Sequence, residues 1–354
     1  MKLGLPVAAE TATGKRHVPA DQASYAGLRP GDTLDGRFLI TAIINDGGMA
    51  TVFKAEDLHD HGQPVAIKVP HTKYATGLGA WSRAEREEEI GSQLAHPSVL
   101  RYVPVPGRRR GTYIVTEYLQ GETLADRLRR DHRLPEPEAL DIARRVAEAL
   151  QFLHEHGVVH YDLKPGNVML CTDGSIRLLD FGLAQPVETR RFSLHGTAPA
   201  MGTTEYIAPE QLRGKHGRPS ADIYSLGAML YEMLTGAAPF PGDDPTDSGS
   251  QRLTGDPAAP RKLNSAISPE ADEIVLRALQ RDPSHRYPTA AAMKSDLAVP
   301  RQVRVTGLCD RLQPSTRWKR VLFKARWIAL TCVLPVVVQA LLYWWIWYHY
   351  SHKR

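Results

Sequence analysis

Cysteine is scarce. Three in 354 residues (Cys171, Cys309 and Cys332) are too few and too scattered for a disulfide framework, and none sits in the CxxC spacing of a zinc site. Acidic residues all but vanish after Pro300. Ten Lys or Arg face Asp310 alone there, a net of +9 that leaves −4 for the remainder of the chain. The overall charge of +5 therefore belongs to the tail, and the body is mildly acidic. Nucleic-acid binders carry their basic surface on the folded domain, often with stacking aromatics, so no nucleic-acid partner is expected. Tryptophan is sparse in the body: five of the six lie after position 317. No apolar signal-peptide run occurs in the first thirty residues. Two histidine pairs, His59/His61 and His154/His156, are spaced two apart and would not share a helix face, so no other metal centre is expected. What is present is ordinary globular material, 42% hydrophobic and 23% charged, in a length that suits two to three domains of roughly 150 residues.

One segment is not ordinary. No charge occurs between Arg326 and His349, and the run Trp327 to Tyr348 is 22 residues long. As a helix it would extend about 33 Å at about 1.5 Å per residue, enough for a hydrocarbon core of about 30 Å. Tyr343, Trp344, Trp345, Trp347, Tyr348 and Tyr350 gather at one end in the manner of an interfacial belt. A helix lying in the interface would need a charged face, and this one has none. Arg317, Lys319, Arg320, Lys324 and Arg326 precede the run, and only Lys353 and Arg354 follow it. That asymmetry predicts a single-pass transmembrane helix with the large body in the cytoplasm.

The body changes character along its length. Residues 1–33 show no sustained periodicity and read as a flexible tail. Strand-like runs follow at Arg37–Ile44, Ala50–Glu56 and Pro64–Val69, then a helix at Ala80–Ala95, then strands at Leu100–Val105 and Thr112–Tyr118. From Pro137, apolar residues recur at helical spacing (Leu140, Ala143, Ala147, Leu150, Leu153) up to Gly157. Ala221–Thr235 and Glu270–Gln280 read as further helices, and Asp243–Ser250 as a polar loop.

Several short motifs occur in one order across these elements. Asn45-Asp46-Gly47-Gly48-Met49-Ala50-Thr51-Val52 lies between two predicted strands, and Val65-Ala66-Ile67-Lys68 on the next. His160-Tyr161-Asp162-Leu163-Lys164-Pro165-Gly166-Asn167, Asp180-Phe181-Gly182 and Ala208-Pro209-Glu210 follow. Alone, each is unremarkable: Gly-Gly is usually a turn and an isolated Asp usually a cap or surface charge. Their joint occurrence in this order resembles the protein-kinase signature set. The wording around Gly47–Met49 and Lys54–Asp57 is most similar to bacterial eukaryotic-like (Hanks-type) serine/threonine protein kinases. The resemblance covers about Leu34 to Leu297.

That resemblance implies an α+β, bilobal protein-kinase fold, a small β-rich lobe followed by a larger helical one, here with one C-terminal transmembrane helix. The implied divisions are a tail (1–33), a kinase domain (34–298), a basic juxtamembrane segment (299–326), the span (327–348) and a short far-side tail (349–354). It implies ATP as phosphoryl donor with Mg2+, or alternatively Mn2+. Phosphoryl transfer depends on positioning and charge neutralisation, and the residue types fit those tasks. A glycine-rich hairpin (Asn45, Asp46, Gly47, Gly48, Met49, Ala50) lets backbone N–H groups approach phosphates. Lys68 would meet the α and β phosphates, held by Glu87, with Glu88 as the register alternative. Asp180 and Asn167 would bind metal through hard oxygen donors. Asp162 would accept the substrate proton, and Lys164 would steady the transferring group. Val52, Ala66 and Met169 would sandwich adenine, with Glu117 and Leu119 along the hinge and Thr116 as the gatekeeper. Asp222 would hold the catalytic loop, while Glu210 and Arg286 would form a bracing ion pair.

The implied activity is transfer of the ATP γ-phosphoryl group to Ser/Thr hydroxyls of proteins, the chain itself among them. A pseudokinase scaffold and a small-molecule kinase are the alternatives. Protein substrates, membrane lipid and self-association are the candidate partners, and the inner (cytoplasmic) membrane is the expected location. Two departures matter. Asn45 and Ala50 replace glycines; Asn tolerates positive φ and Ala adds the smallest Cβ, so weakened rather than abolished nucleotide binding is expected. Tyr161 replaces an arginine that commonly grips an activation-segment phosphate, and tyrosine cannot make that bidentate contact. Thr189, Ser193, Thr197, Thr203 and Thr204 remain candidate phosphorylation sites.

Overall fold

A computed structural model describes residues 27–47, 50–71, 87–106, 111–180, 185–186, 205–214, 218–240, 245–312 and 339. These fall into two compact units. The first holds the described residues up to Gly121 with 171–173 and 179–180; the second holds the other described residues.

The first unit is built on a five-stranded antiparallel sheet in sequential order: β1 (Thr33–Leu34), β2 (Phe38–Asp46), β3 (Ala50–Asp57), β4 (Gln63–Pro70) and β5 (Ile114–Glu117). Alternation explains its core. Phe38 and Ile40 of β2, Phe53 and Ala55 of β3, and Val65, Ile67 and Val69 of β4 point to one buried face with Leu34, Tyr113 and Val115. Asp57 takes a bidentate contact from Arg37 at 2.6 and 2.8 Å, which holds its carboxyl below the usual range. The run Leu100–Val105, expected as a strand, makes only an isolated bridge, Tyr102 to Thr116. Pro104 and Pro106 lack the N–H groups a longer ladder would need. Of the helix expected over 80–95, residues 87–92 are described and helical.

The second unit is mainly helical. Glu136–Glu155 carries the predicted apolar stripe and stops before Gly157, whose φ of 71° is a left-handed helix terminator. Ser220–Thr235 is buried nearly all round, as befits the central helix of a core. Gly227 lets it approach the helix Pro269–Ala278: a Cβ there would lie 2.6 Å from the Ala278 Cβ. The segment read as a polar loop is instead helical over Pro245–Thr254. Its Ser, Thr, Asp and Gly content hides a helix held by tertiary contact, for Arg252 is buried and donates to the Ile207 carbonyl at 2.9 Å. A short hairpin, Val168–Cys171 with Ile176–Leu178, follows the catalytic-loop motif.

Among the described residues no helix is long and apolar enough to cross a membrane. The run 327–348 lies outside them except for Gln339, which is helical. The candidate phosphorylation sites Thr189, Ser193, Thr197, Thr203 and Thr204 also lie outside, as do Gly48 and Met49.

Candidate functional site

In β4 the alternation that buries Val65, Ile67 and Val69 turns Ala66 and Lys68 to the opposite face. Cross-strand partners share a face. Val52 is opposite Lys68 and Thr116 is opposite Ala66, so four expected site residues line one side of the sheet. Ile114, opposite Lys68 on β5, joins them although no motif marks it. Glu117 ends β5, where its N–H donates to the Arg101 carbonyl at 2.9 Å. Leu119 follows just beyond.

Lys68 Nζ donates to Asp180 Oδ1 at 2.7 Å and to both Glu87 oxygens at 3.1 and 3.2 Å. Glu87, not Glu88, is thus the carboxylate that meets the lysine. Glu87 is itself positioned: the Tyr102 hydroxyl donates to it at 3.2 Å. Gly91, one turn further along the helix, makes that possible. A Cβ at 91 would lie 2.2 Å from the Tyr102 ring.

One ammonium cannot neutralise two carboxylates. Burial opposes the charge on Lys68, but Asp180 and Glu87 outweigh it and hold its pKa above the ordinary value. The surplus negative charge falls on the more buried acid. Burial first, and Asp180 next, push Glu87 up to about 7 against the pull of Lys68. A raised carboxyl contributes stability that is complete below its ordinary 4.5 and is lost as pH rises through about 7. Stability of the ligand-free protein should therefore fall between pH 5.5 and 8 by on the order of 1 kcal/mol, after allowance for solvent around Lys68 and Asp180. Urea denaturation at the two pH values checks this, with Glu87→Gln expected to flatten the difference.

The second unit carries the catalytic-loop motif. Asp222 is fully buried and accepts from His160 N and Tyr161 N, each at 2.9 Å, and lies 2.8 Å from His154 Nε2. Burial alone would raise its pKa; the His154 hydrogen bond leads the contacts that lower it instead. Tyr161 is buried with φ at +63°, an uncommon conformation for an aromatic residue, and Asp222 pins its N–H there. Asp180, in the first unit, has φ at +61°. Backbone strain of this kind concentrates at functional sites. Beyond Tyr161, Lys164 Nζ donates to Asp162 Oδ2 at 2.7 Å. Asn167 Nδ2 donates to the Asp162 carbonyl at 2.8 Å and to Oδ2 at 3.1 Å. Because Asn167 donates through its nitrogen, its amide oxygen is left as a hard donor of the kind Mg2+ takes. Met169 lies two residues on, in the strand opposite Arg177.

The hairpin between β2 and β3 pairs Asn45 with Val52 and Asp46 with Thr51. Neither Asn45 nor Ala50 has positive φ, so the tolerance expected of Asn45 is not called upon; it sits in extended strand. Gly47 has ordinary space around it: an added Cβ would lie 3.4 Å from its nearest neighbour, the Ala50 carbonyl. The fold itself does not demand glycine there, which leaves the bare backbone open to a ligand. By donor chemistry, each unit taken by itself, the Asp180 carboxylate beside the paired Lys68 ammonium and the Asn167 amide oxygen are the hard oxygens that a metal-bound triphosphate takes.

Glu210 and Arg286 form the expected pair, with Nη1–Oε1 at 2.6 Å and Nη2–Oε2 at 2.7 Å. His154 is a residue to which the sequence gives no role beyond that of a solvated or core histidine. Only its contact across 68 residues to Asp222 reveals its part in the loop.

Residues 38–297 match the protein kinase domain family. The chain is 36% identical over 274 residues to serine/threonine-protein kinase PknB of Mycolicibacterium smegmatis, covering 75% of this chain and 43% of that protein. The PknB of Mycobacterium tuberculosis (strain H37Rv) is 35% identical with the same coverage. A probable serine/threonine-protein kinase of Streptomyces coelicolor, SCO3848, is 35% identical, covering 75% of this chain and 40% of its own length. The chain thus spans less than half the length of these curated relatives.

Proposed function

Since this chain belongs to the protein kinase family, we propose that it transfers the γ-phosphoryl group of ATP to Ser or Thr hydroxyls of proteins, its own included. The observation that carries the reading is Lys68 Nζ held between Glu87 and Asp180, at 3.1 and 2.7 Å. Bound Mg·ATP would supply the transferable phosphoryl group and the metal charge that offsets its oxygens. Lys68 binds the inner phosphates, and Glu87 fixes its direction. Asp180 and Asn167 hold Mg2+. Val52, Ala66 and Met169 enclose the adenine, with Thr116, Glu117 and Leu119 at its edge; the hairpin backbone from Asn45 to Ala50 cradles the phosphates. Asp162 orients the acceptor hydroxyl and takes its proton, and Lys164 keeps a positive charge beside the transferring group. Tyr161, buried with its N–H held by Asp222, stands where an arginine would grip an activation-segment phosphate, so activity would not depend on a phosphate latch at that position.

The kinase domain occupies 34–298, and the basic segment 299–326 leads to a membrane span at 327–348. The support for the span is 22 uncharged residues preceded by five close Lys or Arg. With that span the chain would sit in the cytoplasmic membrane with the kinase domain inside, where neighbouring copies in the bilayer would be substrates for one another.

The experiment is labelled γ-phosphoryl transfer from Mg·ATP to a generic protein substrate, with phosphoamino-acid analysis, using wild type before and after phosphatase treatment. Label on Ser and Thr in both preparations is expected. No label above the Asp162→Asn background in either preparation would make the chain a scaffold; activity only before phosphatase treatment would restore the latch.

A further inference from the structure

Three side chains meet at the hairpin end of the first sheet, and no kinase motif includes their contact. Thr51 Oγ1 donates to Asp46 Oδ1 at 2.7 Å and lies 2.9 Å from His71 Nε2; His71 Nε2 is 3.3 Å from the same Asp46 oxygen. They come from three successive strands. Asp46 closes β2, Thr51 pairs with it at the start of β3, and His71 follows β4, whose last residue Pro70 is opposite Ala50. Among the described residues, Asp46 from β2 and Thr51 from β3 are the charged and hydrogen-bonding groups that meet the His71 ring. Lys68, on β4 itself, is directed to Glu87 and Asp180.

Proton accounting fixes the direction of the chain. Thr51 has one hydroxyl proton, and an ionised Asp46 can only accept. Thr51 must therefore accept from His71 Nε2–H, which is present in the ε tautomer and in the imidazolium. Asp46 accordingly has its pKa lowered, first by the Thr51 hydrogen bond and further by His71. Protonating His71 adds an ion pair to a hydrogen-bond chain that already exists. Thr51 neighbours Val52, so by strand alternation this clasp lies on the reverse of the face that carries Val52 and Lys68.

We propose that His71 is a positioning residue for nucleotide: acting through Thr51 and Asp46, it staples the two sides of the hairpin, so that protonation of its ring tightens nucleotide binding. This rests on the reading of the hairpin as a triphosphate cradle. Preorganised backbone N–H groups lose less freedom on binding, and the clasp fixes the strands from which those groups project. A protonated ring would also offset Asp46, the one carboxylate on the hairpin, as a polyanion approaches.

The test uses the full chain in detergent and two readouts. Mg·ADP affinity is measured by calorimetry at pH 6 and pH 8 for wild type, His71→Gln, His71→Lys and His71→Ala. Glutamine keeps an N–H donor without charge; lysine keeps the charge at both pH values. Glu87 titrates in every variant alike, so differences between variants isolate position 71. Wild type should gain about three-fold in affinity at pH 6 relative to His71→Gln, the size expected of an exposed ion pair. The two should agree at pH 8, and His71→Lys should retain the tighter binding at both. An equal pH response in wild type and His71→Gln would overturn the proposal. The second readout needs no nucleotide. Hydrogen exchange of the 44–53 peptide should quicken in His71→Ala, and unchanged exchange would show that no clasp exists. A clasp seen by exchange in a chain that binds no Mg·ADP would instead overturn the kinase reading beneath it.

Discussion

Asp162→Asn is expected to lower phosphoryl transfer by about 10²- to 10⁴-fold, the usual contribution of a positioned general base. The substitution is nearly isosteric, so the loop should keep its shape. What changes is the acceptor. Asp162 Oδ2 now takes Lys164 Nζ at 2.7 Å and Asn167 Nδ2 at 3.1 Å. An amide there can neither hold a substrate proton nor counter the Lys164 charge. The substitution leaves Lys68 and Glu87, the groups proposed to hold the inner phosphates, unchanged, so Mg·ADP affinity should stay within about two-fold of wild type. Rate and affinity measured together check the separation, and a rate loss under ten-fold would remove Asp162 from the role given to it. Lys68→Met should give the opposite balance, with nucleotide affinity falling along with the rate.

The second large effect concerns stability. Arg286→Ala or Glu210→Ala alone should cost about 3–5 kcal/mol, because each leaves a buried partner charged and alone. The Arg286 side chain is fully buried and that of Glu210 is 10% exposed. Arg286 does more than pair: its Nη1 donates to the Ser220 carbonyl and its Nε to the Gln280 carbonyl, each at 2.7 Å, and it stacks 4.8 Å from the Tyr224 ring centre. Arg286→Lys should not rescue, since a single ammonium cannot reproduce this fork. The double variant Glu210→Ala/Arg286→Ala should cost less than the sum of the single losses, because neither change then strands a charge. Urea denaturation of the four proteins checks the cycle. Single variants within about 1 kcal/mol of wild type would show that the pair is not needed.

What the sequence made legible were the residues whose chemistry is local in the chain. The three-strand pattern around Val65-Ala66-Ile67-Lys68 follows from period-two alternation. Glu87 as the partner of Lys68 follows from the resemblance, with Glu88 left as the register alternative. The central helix Ser220–Thr235 follows from its apolar run. Contacts between distant positions were not legible. Tyr102 reaches Glu87 only because Gly91 clears its path, and nothing in the intervening residues signals it. His154 meets Asp222 across two helices. Asp46, Thr51 and His71 look unrelated until the strands are paired. Local signals also misled. The Ser- and Asp-rich stretch from Pro245 has weak helix propensity, yet packing around Arg252 overrides it. Leu100–Val105 has strand-like side chains, but its prolines cannot donate to a ladder.

On the proposed function, Lys68 and Lys164 each serve a phosphate of bound ATP. An acyl-phosphate derivative of ATP delivers its acyl group to amines beside the terminal phosphates, and peptide mass spectrometry reads where it lands. The account predicts acylation at Lys68 and Lys164, suppressed at both by excess Mg·ATP. Labelling confined to other lysines, or labelling that excess Mg·ATP leaves untouched, would contradict it.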